Sequence, residues 1–219
     1  MNQLLSDTLH NMLNPCDFVV AGVSGGADSL AMKFGGHGLQ LRLLACHVNH
    51  MLRGEESMRD QRHVEQICRQ WEIPLQVVQT DVKTLAAESG KSLEEAGRDE
   101  RYRIFSELAG KTGKIATAHT SSDNYETILF HLIRGTGLKG LCGIPAVRGN
   151  IVRPLLKITR AEVEEYCRKN QIAFMTDSTN NDTKYSRNKI RQEIIPKLLE
   201  INPNGEKQAA RMAVLLSQD

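Results

Sequence analysis

Short apolar runs alternate along the chain with longer segments of helical periodicity. The first two runs, DFVVAGV and LQLRLLACHV, are almost continuously apolar, which is typical of strands covered on both faces. Two later runs, PLQVVQT and KIATAH, each follow a long amphipathic segment, and this alternation indicates parallel strands joined by helical crossovers. We therefore predict an α/β fold with a doubly wound, mainly parallel, five-stranded sheet and helices on both faces.

The texture of the chain changes after Gly135. The stretch RGTGLKGLCGIPAVRGNIVRPL is dense in glycine and proline, which predicts a loop with at most one short strand, near Ile151. That strand would be the fifth of the sheet. Two or three helices are predicted in the C-terminal part of the chain: from Thr159 to Asn170, around Ser186 to Glu200, and from Glu206 to the end.

Length and composition predict a cytoplasmic protein with one main domain. The 219 residues suit a single domain over residues 1–200, followed by a short helical extension, or the start of a linker, over 201–219. No apolar run approaches the ~18 to 20 residues that a membrane span needs, so no membrane partner is expected. The five cysteines include no C-x-x-C pair, which argues against a disulfide framework and against a zinc or iron–sulfur site. The net charge of +2 neither indicates nor opposes a nucleic-acid partner.

Polar clusters follow three of the predicted strands. SGGADS follows the first strand, HVNHMLRGEE the second and HTSSDNYET the fourth. The carboxyl ends of parallel strands meet at one edge of a sheet, and ligands bind at that edge. The three clusters are therefore predicted to form one site.

The SGGADS loop has the features of an anion-binding turn at the start of a helix. Backbone amides and the helix dipole form the cradle, and two glycines allow the dihedral angles that it needs. The loop lacks the lysine of G-x-x-x-x-G-K-[ST] and does not match G-x-G-x-x-G. An aspartate beside bound phosphates would repel them unless a cation lay between, so we predict Mg²⁺ at Asp28; a tight turn capped by Ser24 or Asp28 is the alternative. The predicted phosphate-binding residues are Ser24, Gly25, Gly26, Ala27, Asp28 and Ser29.

The pattern S-G-G-x-D-S after a strand, here in VSGGADSLA, resembles that of the PP-loop ATP pyrophosphatases. Within that superfamily the chain resembles the tRNA(isoleucine)-lysidine synthetases, through the segments HVNHMLRGEES, SLEEAGRDERY and ATAHTSSDNYETILFHLIRGTGLKGLCGIP and on through RPLLKITRAEVEEYC and DSTNNDTKYSRNKIRQEIIPKLLEINPN. The resemblance covers about Asp17 to Asn204. It implies an adenine nucleotide alpha hydrolase-like fold, with ATP, Mg²⁺, free L-lysine and an isoleucine tRNA with a CAU anticodon as reactants and partners.

The resemblance also implies a reaction in two steps. The oxygen on carbon 2 of the anticodon wobble cytosine attacks the α-phosphate of ATP and releases pyrophosphate, and the lysine amine then displaces AMP. Two alternatives stay open: another PP-loop tRNA-modifying enzyme such as a 2-thiolase, and a catalytically weakened ATP- or RNA-binding module.

Asp123 and Glu126 are three residues apart, a spacing that also suits a capping box for the helix YETILFHLI. In the family the matching motif is H-x-x-D-D-Q-x-E-T, and its second acid and its glutamate align with them. Here Ser122 and Asn124 replace the first acid and the glutamine, which leaves Asp28 and Asp123 as the carboxylate pair for magnesium. Glu126 is the candidate that accepts a proton from the lysine amine.

The histidines of HVNH lie three apart at a strand end, where His47 and His50 face opposite sides, so joint metal ligation is not expected. By resemblance, His50 belongs to the active-site motif H-V-[DN]-H-x-L-R. The predicted catalytic residues are therefore Asp28, Asp123, Glu126, His50 and Arg191.

Basic residues cluster in EAGRDERY and KYSRNKIR, where they are either solvated charges or contacts to ATP, lysine or RNA phosphate. In the family, Y-x-R-N-x-I-R belongs to the catalytic surface, which favours function for Arg187 and Arg191. The predicted substrate- and RNA-binding residues are Arg98, Arg101, Lys184, Arg187 and Arg191. Family members usually continue into C-terminal domains, so we expect a catalytic-domain fragment or a very short member.

Overall fold

A six-stranded sheet forms the centre of the protein in a computed structural model that describes residues 2–29, 40–175 and 186–217. The strand order is β3-β2-β1-β4-β6-β5, and every neighbouring pair is parallel except β5 and β6. The strands are β1 Phe18–Gly22, β2 Arg42–Asn49, β3 Leu75–Gln79, β4 Lys114–Ala116, β5 Val147–Arg148 and β6 Ile151–Val152. The predicted α/β fold with a mainly parallel sheet is confirmed, with six strands in place of five.

Helices connect the strands and form the C-terminal part. They are α1 Asn2–Met12, α2 Glu55–Gln70, α3 Val82–Ser89, α4 Leu93–Ala109, α5 Ser121–Ile133, α6 Leu138–Leu141, α7 Arg160–Lys169, α8 Ser186–Lys189, a π-helical turn Ile190–Ile194, α9 Ile195–Ile201 and α10 Gly205–Leu216. The predicted C-terminal helices correspond to α7, to the continuous helical path from α8 to α9, and to α10. Within the described ranges, no helix is both long and apolar enough to cross a membrane.

The two faces of the sheet bury different sets of helices because successive strand residues point to opposite sides. Val19 belongs to the cluster that includes side chains of α1, α2 and α7. Its neighbour Val20 belongs to a second cluster with Ile104 and Phe105 of α4. This alternation confirms the prediction of helices on both faces, and it fixes β1 at the centre of the core.

The glycine-rich stretch after α5 contains more structure than the sequence predicts. The predicted short strand near Ile151 is confirmed as β6, but the prediction of loop elsewhere was wrong, because the stretch also forms the single turn α6 and the strand β5, which pairs with β6 in a hairpin. Gly149 has a φ of +59° in the two-residue connection of that hairpin, a conformation that favours glycine. The glycine that suggested a loop is thus the residue that allows the two strands to pair.

Gly22 generates a prediction about the packing beneath the candidate site. A β-carbon at Gly22 would lie 2.7 Å from Cζ of Phe105, which is buried in the core. We expect Gly22→Ala to lower the free energy of unfolding by about 1 to 3 kcal/mol, because the methyl group overpacks this contact. Urea denaturation measures the change.

Gly137→Ala is the matched control, because Gly137 has a negative φ and open space around its α-carbon. Phe105→Leu in the Gly22→Ala background should cost less than the two single changes added together. Strict additivity of the two substitutions would contradict the proposed clash.

Candidate active site

The loop after β1 is held in shape by its own hydroxyl and carbonyl groups. The amide of Ser24 donates to Ser29 Oγ (3.3 Å), and that hydroxyl donates to the carbonyl of Gly26 (2.9 Å). Gly25 has a φ of +85°, which favours glycine, and its carbonyl accepts from the amide of Met175 (3.0 Å). The Ser29 hydroxyl therefore closes the turn. The sequence suggested Ser24 or Asp28 as the capping side chain.

Asp28 and Asp123 approach each other through a third side chain, Arg160. Arg160 Nε lies 3.6 Å from Asp28 Oδ2, and Arg160 Nη2 lies 2.9 Å from Asp123 Oδ1. The other oxygen of Asp28, Oδ1, is buried and has no hydrogen-bond partner. The two predicted carboxylates are thus brought to one site, and a guanidinium group lies between them.

Asp123 caps a helix and also lies in the candidate site. The capping box of Asp123 with Glu126 that the sequence suggests is not formed, because α5 begins at Ser121, with Thr120 as its cap and Asp123 as the third residue. Its Oδ2 accepts from the amide and from the hydroxyl of Thr120, at 2.8 Å each, and its amide donates to Thr120 Oγ1 (3.3 Å). This capping box starts α5 and directs Oδ1 towards Arg160 and Arg191. The cap and the site contact use different oxygens of one carboxylate.

Glu126 is buried and paired with Arg191. Its Oε2 accepts from Arg191 Nε (2.8 Å) and from Arg191 Nη2 (2.7 Å), and only 4% of the residue is exposed. Burial raises the pKa of Glu126, and the guanidinium of Arg191 opposes the shift. Arg191 lies in the π-helical turn between α8 and α9, a feature frequent at functional sites.

The two histidines of HVNH have separate surroundings. His47 Nδ1 lies 2.8 Å from the carbonyl of Val23, directly before the glycine loop, and burial lowers the pKa of His47. His50 Nε2 lies 3.4 Å from Arg101 Nη2 on α4. Burial, followed by Arg101, lowers the pKa of His50 to about 4, so His50 is neutral at neutral pH.

His119, at the end of the β4 segment, connects the acidic and basic sides of the site. Burial lowers the pKa of His119 to about 4, Asp123 opposes the shift, and arginines that include Arg98 and Arg101 add to it. Arg98 and Arg101 are both exposed, and both are near enough to His119 to lower its pKa.

The predicted basic cluster of KYSRNKIR is only partly visible. Arg187 lies 3.7 Å from Glu94 Oε1 and stacks over the ring of Phe130, with 5.4 Å from Cζ to the ring centroid. Lys184 lies outside the described residues. The structure thus brings Arg191 into the carboxylate cluster and gives Arg187 a contact with the start of α4.

Two residues near the loop were not predicted from the sequence, and Arg160 is the first. It is the first residue of α7, and the helix signal of TRAE, with Thr159 as the cap, located the helix but not the side chain's partners. The second is His63 of α2: a β-carbon at Gly25 would lie 3.5 Å from His63 Cδ2, and His63 Nε2 is buried without a partner. Both contacts depend on the fold, since each joins segments far apart in the sequence.

The residues present fit a magnesium ion by their chemistry. Mg²⁺ binds oxygen ligands and is commonly held by one or two carboxylates together with phosphates and water. Asp28 Oδ1 is buried without a partner, and the other oxygen of Asp28 and Asp123 Oδ1 both contact Arg160. The described ranges contain no group of three or more His, Cys, Asp and Glu side chains that could hold a metal ion.

The charge of Asp28 generates a prediction about stability. Burial raises the pKa of Asp28 from 3.8 to about 6, Arg160 opposes the shift, and Asp123 adds to it. The folded state therefore holds this proton when the unfolded state has lost it, and the stability that the proton provides is lost as the pH rises from about 4 through about 6. Without metal, we expect Asp28→Asn to be more stable than the parent by about 1 to 3 kcal/mol at pH 7.5 and equal to it near pH 4.

Chemical denaturation in chelator at four pH values measures this difference. Asp99→Asn is the control, because Asp99 forms an exposed pair with Lys91 whose loss should cost less than about 1 kcal/mol. If Asp28→Asn were equally destabilised at pH 4 and at pH 7.5, the raised pKa of Asp28 in the folded state would be contradicted.

Comparison with solved structures identifies proteins of the same fold. The structure described as U34-tRNA thiolase NcsA from Methanococcus maripaludis with its [4Fe-4S] cluster matches the whole of this chain and 78% of that chain, with a TM-score of 0.77 and 19% identity. The structure described as NMN synthetase from Francisella tularensis matches 97% of this chain and 92% of that chain, with a TM-score of 0.55 and 14% identity. At these identities the likeness shows the fold alone.

Curated relatives are much closer in sequence. The tRNA(Ile)-lysidine synthase of Thermotoga maritima is 43% identical over 208 residues, which are 92% of this chain and 50% of that protein. The enzyme of the same name from Bacteroides thetaiotaomicron is 44% identical over 192 residues, 87% of this chain and 45% of that protein. The chain spans about half the length of the curated relatives it matches.

A family model described as the PP-loop domain matches residues 1–198, which include the glycine loop and all the carboxylates of the site. This match agrees with the strand–loop–helix geometry at Ser24 to Ser29 and with the curated relatives. The chain is therefore a member of the PP-loop family.

Proposed function

We propose that the chain ligates L-lysine to the anticodon wobble cytidine of an isoleucine tRNA, at the expense of ATP and through an adenylated cytidine. The observation that carries the proposal is the cluster of Asp28, Asp123 and Glu126 with two arginines beside the PP-loop. About 40% identity to curated lysidine synthases over most of the chain supports this substrate class. The full activity is described for proteins about twice as long.

In the first step the loop amides of Gly25 and Gly26 would bind the β- and γ-phosphates of ATP. The cytosine oxygen forms a bond to the α-phosphorus, the bond from that phosphorus to the bridging oxygen breaks, and pyrophosphate leaves. Arg160 and Arg191 are close enough to the carboxylates to share charge with the phosphates once ATP is bound. Magnesium held by Asp28 and Asp123 would neutralise charge on the polyphosphate.

In the second step the lysine amine forms a bond to carbon 2 of the cytosine, and AMP leaves with the oxygen. A protonated lysine amine has no lone pair and cannot attack carbon 2, so the ammonium form must lose a proton first. Glu126 is the acceptor that we propose: its raised pKa makes it a better base than an ordinary carboxylate, and Arg191 holds its orientation. We further propose that His50 and His119 border the lysine site; both are neutral at neutral pH, so neither would repel the lysine ammonium.

The cysteines favour ligation of lysine over transfer of sulfur. All five lie in the described ranges as free thiols, and no group of three or more possible metal ligands occurs there, whereas an iron–sulfur cluster is held by several cysteines. Burial raises the pKa values of Cys46 and Cys167 to about 11, so both remain protonated. Cys167 Sγ donates to the carbonyl of Ala27 at 3.6 Å, inside the core.

Ser122, which replaces the first acid of the family motif, has a structural contact that counts against a weakened module. Its hydroxyl donates to Glu206 Oε2 (2.9 Å) and accepts from the amide of Arg160 (3.1 Å). Ser122 therefore joins α5 to the starts of α7 and α10, and the pair Asp28 and Asp123 is present without the missing acid.

An activity assay tests the proposal. The purified chain should release pyrophosphate from ATP only with a transcript that carries a CAU anticodon, and should then attach labelled lysine to that transcript. Attachment of labelled sulfur would replace the proposal with a thiolase, and binding of ATP and transcript without turnover would replace it with a binding module.

Glu126→Gln separates the two steps. We expect lysine transfer to fall by about 10² or more, because the proton acceptor is lost, while pyrophosphate release changes much less. Glu165→Gln on the exposed side of α7 is the control, and it should leave both steps unchanged. Equal loss of pyrophosphate release and lysine transfer in Glu126→Gln would argue against its role as the acceptor.

Arg101 generates a prediction about RNA binding. If its guanidinium contacts an RNA phosphate, Arg101→Gln should weaken transcript binding and reduce the slope of log K against log salt by about 1. Fluorescence anisotropy at several KCl concentrations measures the slope. Arg103→Gln on the same helix is the control, because Arg103 pairs with Glu100 and Glu107. An unchanged slope in Arg101→Gln would mean that Arg101 contacts ATP or supports His50 and does not contact RNA phosphate.

A further inference from the structure

Arg160 is the side chain that holds the two metal-binding carboxylates together. Within the described part of the chain, the ion pairs of its guanidinium are with Asp28 and Asp123. Three carboxylates, Asp28, Asp123 and Glu126, face two guanidinium groups, those of Arg160 and Arg191. Arg191 is paired chiefly with Glu126, so Arg160 is the main counter-charge of the other two acids.

The contact of Arg160 with Asp28 is incomplete. The distance from Nε to Asp28 Oδ2 is 3.6 Å, which is too long for a good hydrogen bond, and Asp28 Oδ1 is buried with no partner. A small dication can bind an oxygen of Asp28 and an oxygen of Asp123 at the same time. The planar guanidinium forms a short contact with Asp123 but leaves one oxygen of Asp28 without a partner.

The backbone of Arg160 is held in place by contacts that do not depend on its side chain. Its amide donates to Ser122 Oγ (3.1 Å), and it begins α7 behind the Thr159 cap, in which Glu162 Oε2 accepts from the Thr159 amide (2.8 Å). About a third of the side chain, 32%, is exposed. The guanidinium can therefore leave the carboxylates while α7 stays in place.

From these observations we propose that Arg160 occupies the position between Asp28 and Asp123 until ATP arrives, and thereby makes metal binding depend on ATP. The inference rests on the proposed ATP-dependent function. Without nucleotide, a metal ion that enters must break the contacts of Arg160 and leave that guanidinium without a partner. With nucleotide, the guanidinium moves to phosphate oxygens, for which arginine has a suitable geometry, and the carboxylates become available. Arg160 is thus a positioning residue that couples the binding of metal and ATP.

Titration with Mn²⁺, followed by electron paramagnetic resonance, tests this coupling in the absence of tRNA and lysine. Without nucleotide, Arg160→Met should bind Mn²⁺ about tenfold more tightly than the parent, because a competing cation has been removed from two carboxylates. Arg160→Lys should show an intermediate gain, because one ammonium group cannot contact both acids, and it keeps the test decisive if the methionine variant does not fold. ATP should tighten Mn²⁺ binding more in the parent than in Arg160→Met.

Arg168→Met on the same helix is the matched control, because the Arg168 side chain donates to the carbonyl of Glu164 within its own helix. The Mn²⁺ affinity of this variant should equal that of the parent. Adding Asp28→Asn to Arg160→Met should abolish the gain, which assigns the gain to this pair of acids. Mn²⁺ affinity that is unchanged or weaker in both Arg160 variants would overturn the proposal. Because the titration contains neither tRNA nor lysine, a failure of the lysine-ligation assay alone would count against the proposed function and not against this coupling.

Discussion

The carboxylate of Asp123 serves the fold and the candidate site at the same time. Its Oδ2 closes the capping box with Thr120, which is fully buried, and its Oδ1 contacts Arg160 and Arg191. Because the cap fixes the orientation of the carboxylate, the two arginines meet an acceptor that is already in place. These contacts connect α5 to the start of α7 and to the π-helical turn.

The cluster of charges around Asp123 costs stability, and the cost is concentrated at one residue. Removing ions from water is expensive unless each is paired and hydrogen-bonded. Glu126 receives two close contacts from one guanidinium, whereas Asp28 receives one long contact and has a raised pKa and an unpartnered oxygen. Poorly satisfied charged groups with perturbed pKa values are typical of sites that bind a ligand.

The fold was largely predictable because its signals are local. The spacing of apolar residues is enough to predict the strands and the amphipathic helices, and the caps at Ser92 and Thr159 mark the starts of α4 and α7. The hairpin of β5 and β6 was missed because two-residue strands carry almost no pattern. The acids were found from motif resemblance, but Arg160 was not, since nothing in a helix start predicts which distant carboxylates its first side chain will contact.

The helices α5 and α7 and the turn after β1 all follow strand ends at one edge of the sheet, and different side chains close their first turns. The first turns of α5 and α7 are closed by their own acids, Asp123 and Glu162, so an added anion would compete with a carboxylate already in place. The turn after β1 is closed by the Ser29 hydroxyl, while its acid, Asp28, turns towards Arg160. The aspartate of the PP-loop thus contacts Arg160 and caps no amide of its own turn in the contacts described, and Arg160 connects the turn after β1 to the cap of α5 through Asp123.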